Sequence, residues 1–321
     1  MERKIILGNL AGIACMIIWS LNFPLAVSIL KTWDAIALAP VRMLLAGGTV
    51  LVFALLFGQA RAVHSILQDK RFLFASLMFG VSAMFFMSAQ AKVDAVSAAV
   101  IVSSMPMFSA LLGWWTGTET PGWRLMLAIA LTIAGGVLTS LVSAQGSGSE
   151  GSFAGFGMML AAVIFYVWYS REMVVRFSSA PDLAKTAGSM LVAAVPCLAA
   201  AAIASLFGPG LRIDLSPATV WQVVFMACVS VGASAVLWLW TGRAVGVTVA
   251  AMHHNLVPFY VILLGAFAGA IITGNHIAGA SLVIAGAALA QLRPRKVKVG
   301  MTQPVPPGRS PGAPSQHTQQ Q

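Results

Sequence analysis

Long apolar stretches separated by short polar segments make up most of the chain between residues 5 and 292. Stretches of about 17–25 apolar residues are long enough to cross the ~30 Å hydrocarbon core of a bilayer as an α-helix. The pattern predicts ten such helices, at residues 5–29, 36–57, 72–91, 95–117, 123–142, 153–170, 184–207, 219–240, 247–270 and 276–292. The sequence lacks strands of ~10 alternating residues, so we expect an all-α integral membrane protein.

The composition agrees with a membrane protein. Of the 321 residues, 59% are hydrophobic and 9% are charged, and the mean hydropathy is +0.87. A soluble chain carries about 25% charged residues, so much of this surface must face lipid. The net charge of +10 does not indicate nucleic acid, because the basic residues are scattered between apolar runs. The run at 5–29 exceeds the ~7–15 residues of a signal-peptide core, so we interpret it as a retained helix.

The distribution of Lys and Arg predicts the orientation of the chain. With a cytoplasmic N-terminus, the opposite loops hold only Lys31, Lys92 and Arg212, while Arg42 falls inside a helix and the other basic residues lie in cytoplasmic segments. Because positive charge favours the cytoplasmic side, we expect a multi-pass protein of the cell inner membrane with both termini cytoplasmic. Residues 293–321, basic and then rich in Pro, Gly, Ser and Gln, predict a disordered cytoplasmic tail.

The two halves of the chain share a pattern of residues. Pro106 aligns with Pro258, and Gly113 and Gly117 then coincide with Gly265 and Gly269. With a one-residue gap, Ile133-Ala134-Gly135 also matches Ile284-Ala285-Gly286. Each half has five helices, an odd number, so the second half must enter the membrane inverted, as in many secondary transporters. We predict two inverted five-helix repeats, at 5–142 and 153–292, joined by a periplasmic linker at 143–152.

Several motifs together resemble those of a known family. They are Trp19-Ser20-Leu21-Asn22, Pro40-Val41-Arg42, and the segment from Pro106 through Gly117 and Glu119 to Ala134-Gly135-Gly136. With them the chain resembles the drug/metabolite transporter superfamily, in its ten-helix form built from two EamA domains. The resemblance covers residues 5–292 and implies a transporter, for substrates that range in the family from amino acids to nucleotide-type metabolites and drugs. The second half has Ala270-Ile271 where the first has Glu119, so that acid acts in one half at most.

Pro106 and Pro258 are candidate helix kinks near the middle of helices 4 and 9. Each proline removes one amide donor and clashes one turn back, which frees the carbonyls of Val102 and His254. Inside a membrane such carbonyls need a neighbouring group, a water or a substrate. Two interpretations stay open, a kink that serves packing and a kink that lines a cavity.

Arg42 is the one fully charged side chain inside a predicted helix. A charge at the bilayer centre costs about 2.5–3.5 kcal/mol, so it should face protein or water. Arg42 lies only a few residues into helix 2, where a long side chain also reaches the interface. It is therefore either a structural anchor or a contact for an anionic group of a substrate.

His253, His254 and Asn255 form the most polar cluster in any predicted helix. They precede Pro258, and all the acids of the chain fall in loops or at helix ends. The two histidines are then the deep groups able to titrate near neutral pH. They either hydrogen-bond the opened backbone or bind substrate and couple transport to protons.

Other polar and aromatic side chains are candidates for cavity walls: Trp19, Asn22, Gln90, Trp168 and Tyr169. No catalytic residue, metal site or cofactor is expected, since protease, hydrolase and phosphate-loop motifs are absent. Cys15, Cys197 and Cys228 lie in apolar stretches and are interpreted as core thiols.

The sequence thus predicts a transporter rather than an enzyme. It would move a small metabolite or drug-like solute across the membrane by alternating access, with export favoured by the resemblance. The alternative is a non-transporting membrane scaffold or sensor. The expected partners are a small-molecule substrate and the lipid bilayer, with protons as candidate coupling ions, no nucleic acid, and either a monomer or a homodimer.

Overall fold

The computed structural model describes residues 2–117, 122–147, 149–245, 253–267, 269 and 272–291, and within these the chain is helical with short connections. The elements are α1 (Glu2–Ser20), α2 (Asn22–Ile29), α3 (Ala35–Leu56), α4 (Ala60–Ile66), α5 (Lys70–Gln90), α6 (Ala95–Val102), α7 (Met105–Trp115), α8 (Trp123–Ser147), α9 (Ser149–Val175), α10 (Asp182–Phe207), α11 (Pro217–Val224), a π-helical segment (Phe225–Ala233), α12 (Ser234–Val245), a 3-10 turn (His254–Leu256), α13 (Val257–Phe267) and α14 (Gly274–Gln291). The described residues contain no strand, in agreement with the all-α prediction.

Helical segments long and apolar enough to cross a membrane occur throughout the described part of the chain. There are seven of them: Ile5–Ile29, Ala35–Leu56, Lys70–Gln90, Ala95–Trp115, Phe153–Met173, Asp182–Phe207 and Pro217–Thr241. Two shorter apolar helices, Met126–Leu138 and His254–Phe267, lie where two more spans are predicted. The total of ten stays a prediction, and the predicted tail at 293–321 lies outside the described residues.

The connections differ in detail from the sequence prediction. The loop after helix 2 contains the short helix α4, and α8 and α9 extend through the predicted linker at 143–152 except for residue 148, which lies outside the described residues. Helices α5 and α6 each begin at a capping aspartate. Asp69 accepts hydrogen bonds from the backbone amides at the start of α5, and Asp94 does the same for α6.

The main helix contacts join the two predicted halves. In the centre of the bundle α3 packs on α10 and α5 packs on both α9 and α10. At its ends α1 packs on α12 and α8 packs on α14. The interface between the halves is therefore the core of the molecule, and a side chain at its centre contacts both.

Two spans are interrupted at related positions. The fourth span breaks at Ser103 and Ser104, whose hydroxyls donate to the carbonyls of Val100 at 2.7 Å and Ile101 at 2.6 Å. These bonds satisfy acceptors in the last turn of α6. In the second half, a 3-10 turn precedes α13 and its Pro258.

The ends of these two helices also match. Gly117 after α7 has φ +69° and Gly269 after α13 has φ +78°, a conformation that glycine adopts without steric cost. The two glycines are the pair that the sequence alignment of the halves superposes.

Glycine sets the distance between α5 and α10. A Cβ on Gly80 would collide with the carbonyl oxygen of Ala193 and the ring of Pro196. Small residues of this kind let membrane helices approach closely. By contrast, a Cβ on Gly48 in α3 has nothing within 4 Å.

We expect Gly80→Ala to destabilise the protein and Gly48→Ala to leave its stability unchanged or slightly raised. Overpacking costs about 1–3 kcal/mol, while alanine in place of an unconstrained helical glycine gains up to ~1 kcal/mol. Thermal unfolding of both variants in detergent measures the difference. Equal melting temperatures for the two variants would contradict the close packing of α5 on α10.

Candidate functional site

Arg42 lies inside the bundle. It is two turns into α3 and only 6% exposed, so the snorkelling orientation considered for it does not occur. Its Nη1 donates a hydrogen bond to Oδ1 of Asn22 at 3.1 Å. Its Cζ lies 5.1 Å from the centre of the Phe86 ring, in the geometry of a cation–π contact.

Polar atoms of Arg42, Asn22 and Gln90 lack partners. Nε of Arg42, Nδ2 of Asn22 and both amide atoms of Gln90 are buried without a hydrogen bond. Gln90 lies one turn beyond Phe86 on the same face of α5. We call Asn22, Arg42, Phe86 and Gln90 the Arg42 cluster. Buried polar groups in native proteins are nearly always paired with protein or ordered water, so these groups are candidates for contact with a ligand or a water.

Aromatic rings connect the Arg42 cluster to the second half. Phe86 contacts Phe23 at a ring distance of 6.0 Å, and Phe23 contacts Trp19 at 5.3 Å. Trp19 meets the edge of His254 at 5.6 Å, and Trp238 meets the same histidine at 4.6 Å. This aromatic path thus leads from α3 and α5 to the 3-10 turn and α12, and it brings Trp19, Asn22, Arg42 and His254 into one continuous region.

The neighbours of His254 lie at the margin of that region. His253 is buried, and its ring faces Gly12, where a Cβ would lie 2.9 Å from Nε2. Asn255 is half-buried, and its Oδ1 has no hydrogen-bond partner. His253 and His254 therefore both face α1, at Gly12 and Trp19, two turns apart.

Trp168 and Tyr169 lie apart from the aromatic path. The hydroxyl groups of Tyr169 and Ser189 are hydrogen-bonded at 2.6 Å, and the Tyr169 ring stacks on Phe79 at 4.5 Å. Trp168 meets the edge of Phe74 at 5.9 Å and lines an apolar groove of about 740 Å³. Exposed side chains such as Trp115 form that groove, so we interpret it as a lipid-facing surface.

A family model for EamA-like transporters matches residues 6–141 and again residues 153–292. The chain belongs to the EamA-like transporter family. It is therefore a multi-pass membrane protein of the drug/metabolite transporter type, with a small-molecule substrate and the lipid bilayer as partners. The resemblance found in the sequence is confirmed, and the family is one of transporters rather than enzymes.

Solved structures share this fold. One, described as "Crystal structure of protein", superposes with a TM-score of 0.63 over 88% of this chain and 96% of that chain, at 21% sequence identity. At this identity the likeness concerns the fold alone. No curated protein matches the chain.

Two polar links join the halves of this EamA-like protein on the face opposite the N-terminal end of α1, which we call the distal face. Asp34 and Arg212 form an ion pair at 3.1 Å, and the Asp34 backbone amide donates to the Arg212 carbonyl at 3.0 Å. Beside them, Nε1 of Trp33 donates to the carbonyl of Asp214 at 2.8 Å. The second link places Nε2 of His276 3.5 Å from Oδ1 of Asp94, a contact that is an ion pair only when the imidazole is protonated.

The distal loop that carries Asp214 is ordered by its own hydrogen bonds. The carboxylate accepts from the Thr219 hydroxyl at 2.6 Å and from the Ser216 amide at 2.8 Å and hydroxyl at 2.7 Å. These bonds hold the pKa of Asp214 below its usual value. The carboxylate consequently stays ionised, and the loop keeps this arrangement, to a lower pH than an ordinary aspartate would allow.

Sequence reasoning did not identify Phe23, Phe86, Trp238 or the distal links. Aromatic residues are common in membrane helices, and nothing in their spacing distinguishes these three. Asp34 and Arg212 are 178 positions apart, so only the fold brings them together.

We expect Tyr169→Phe to lower stability by about 1 kcal/mol, the net value of one hydrogen bond, and to leave transport unchanged. The reason is that the Tyr169 hydroxyl is already paired with Ser189. Melting temperature and initial transport rate of the variant are the two measurements, with Ser189→Ala as the matched control for the same bond. A specific loss of transport at unchanged stability would instead assign Tyr169 to the substrate site.

Proposed function

We propose that the protein is a secondary transporter that moves a small solute through the interface between two inverted five-helix repeats by alternating access. The observation that carries this proposal is the Arg42 cluster with its aromatic path to His254. It combines unpaired polar atoms with rings from both halves. No nucleotide-binding motif is present in the sequence, so a solute or proton gradient would supply the energy.

The packing of the helices supports the inverted repeat. The contact of α5 (third span) on α9 (sixth span) has a counterpart in the contact of α1 (first span) on α12 (eighth span). Exchanging the two halves converts the first contact into the second. The same exchange maps the pairs α3–α10 and α8–α14 onto themselves, as a two-fold axis between the halves requires.

The distal links support a conformation closed on one face. Asp34–Arg212 and Asp94–His276 both connect the first half to the second. The other ion pairs among the described residues, Glu172–Arg176 and Asp182–Lys185, are local to the second half. We infer that the distal face opens when these two links break, while the opposite face closes.

The distribution of charged residues supports proposals for the orientation of the protein and for its coupling ion. We propose a location in the cytoplasmic membrane with both termini cytoplasmic, which makes the distal face periplasmic, and export as the direction of transport. Protons are the proposed coupling ion, with His253 and His254 as the groups that exchange them. Each of the six acids with a described side chain is engaged elsewhere, which leaves these histidines as titratable groups near the path.

The transporter proposal predicts saturable solute movement by the purified protein. We would reconstitute the full chain in proteoliposomes and measure counterflow of labelled amino acids, nucleosides, organic acids and cationic drugs. The expected result is saturable exchange of one chemical class, absent from protein-free vesicles. Exchange of none of these solutes by protein that keeps its thermal transition would favour the scaffold or sensor function.

The distal gate predicts that a covalent bond across it stops transport. The backbones of Asp34 and Arg212 are hydrogen-bonded to each other, so cysteines at these positions satisfy the short spacing that a disulfide needs. We expect Asp34→Cys/Arg212→Cys to lose transport on oxidation and to regain it on reduction. The two single-cysteine variants are the controls. Full transport by the oxidised double variant would contradict opening at the distal face.

A further inference from the structure

The positive charge of Arg42 has no anionic partner among the described residues. The acids with described side chains are Asp34, Asp69, Asp94, Glu172, Asp182 and Asp214, and each bonds another group. None of them lies within ion-pair distance of Arg42. A buried cation without a partner is unfavourable, so a bound anion would be strongly stabilised there.

The atoms without partners around that charge are mainly donors. Arg42 Nε, Asn22 Nδ2 and Gln90 Nε2 are all buried with no acceptor. Asn22 and Gln90 are 0% and 2% exposed, so both amides are shielded from bulk solvent in this conformation. Because Arg42 and Asn22 are hydrogen-bonded to each other and each keeps one unpartnered donor, the pair suits a ligand group with more than one acceptor oxygen.

We infer that the transported solute carries a single carboxylate, which Arg42 binds together with the amide group of Asn22. This inference rests on the proposed function and adds the substrate class to it. One guanidinium balances one negative charge. A phosphate monoester carries about −1.5 to −2 at neutral pH and would leave an excess negative charge in the core.

The aromatic path indicates what the rest of the solute resembles. Phe86 and Phe23 adjoin the cation, and Trp19 continues the same wall towards His254. These rings offer apolar faces and edges rather than further charge. The solute class is therefore a small monocarboxylate with an apolar or aromatic body, which reaches the cluster when the halves separate.

The test compares probes that share a ring and differ in charge. Purified wild-type protein in detergent is titrated with benzoate, benzamide, benzylamine and phenyl phosphate, and with hexanoate and hexanamide as an aliphatic pair, while its melting temperature is recorded. We expect a shift with benzoate or hexanoate that exceeds the shift with the matched amide at the same concentration. The amine and phenyl phosphate are expected to give smaller shifts than benzoate.

Arg42 variants connect this binding to the guanidinium. We expect Arg42→Gln to weaken carboxylate binding at least tenfold and to unfold at a similar temperature without ligand, since the lost contacts with Asn22 and Phe86 offset the removed cost of burying the charge. Arg42→Lys keeps the charge and should retain part of the affinity. Arg176→Gln, at an exposed ion pair, is the matched control and should bind as wild type does.

Each outcome decides between the two proposals. If no carboxylate stabilises the wild-type protein more than its matched amide, or if Arg42→Gln binds carboxylate normally, the inference is wrong. The wild-type series decides this even where an Arg42 variant fails to fold. Carboxylate binding without counterflow in proteoliposomes would support the carboxylate inference and overturn the transporter proposal. Saturable counterflow of benzamide or benzylamine in preference to benzoate would support the transporter proposal and overturn the carboxylate inference.

Discussion

A positive charge held in an apolar helix bundle is the constraint on which the centre of this structure depends. Inserting an arginine at mid-membrane depth costs about 2.5–3.5 kcal/mol. A hydrogen bond to a charged group returns about 1.5–3 kcal/mol, and a desolvated cation–π contact about 2 kcal/mol. The bond to Asn22 and the contact with Phe86 are thus of the right size to offset insertion of Arg42. No acid with a described side chain pairs with Arg42, and Nε of its guanidinium keeps no hydrogen-bond partner.

The same arrangement makes the site sensitive to the distance between the halves. Asn22, Arg42 and Phe86 belong to the first half, whereas His254 and Trp238 belong to the second, and ring edges connect them. Within the aromatic path, the ring contact that crosses between the halves is Trp19 with His254 at 5.6 Å. It depends on ring orientation, so a small rotation of one half alters it before it alters the bond between Arg42 and Asn22. Close packing at Gly80 restricts such movement to rotation of helices that stay in contact.

The sequence predicted those parts of the site that are unusual for a lipid environment. Arg42, Asn22 and Gln90 are conspicuous because single polar residues in long apolar runs are costly, and the structure buries all three. Trp168 and Tyr169 are adjacent in sequence and point to different surroundings, which hydropathy cannot distinguish. The helix α4 and the π-helical segment at Phe225–Ala233 lie outside any periodic signal, because apolar runs specify the length of a span and not its local hydrogen-bond pattern. The distal links could not be predicted, because their partners are far apart in the sequence and only the fold brings them together.

At the breaks in the fourth and ninth spans, the two halves share the positions of their helix ends but differ in their polar residues. Both helices begin anew one residue before an aligned proline, and an aligned glycine with positive φ follows the end of each. Their polar residues differ, however: Ser103 and Ser104 satisfy backbone carbonyls in the first half, while the second half has His254 and Asn255 at the corresponding break. In the proposed inverted arrangement, the two equivalent helices would therefore move alike, while the different polar residues beside them give each half its own chemistry. In this proposal the guanidinium that binds the solute lies in one repeat, and the imidazole that exchanges protons lies in the other.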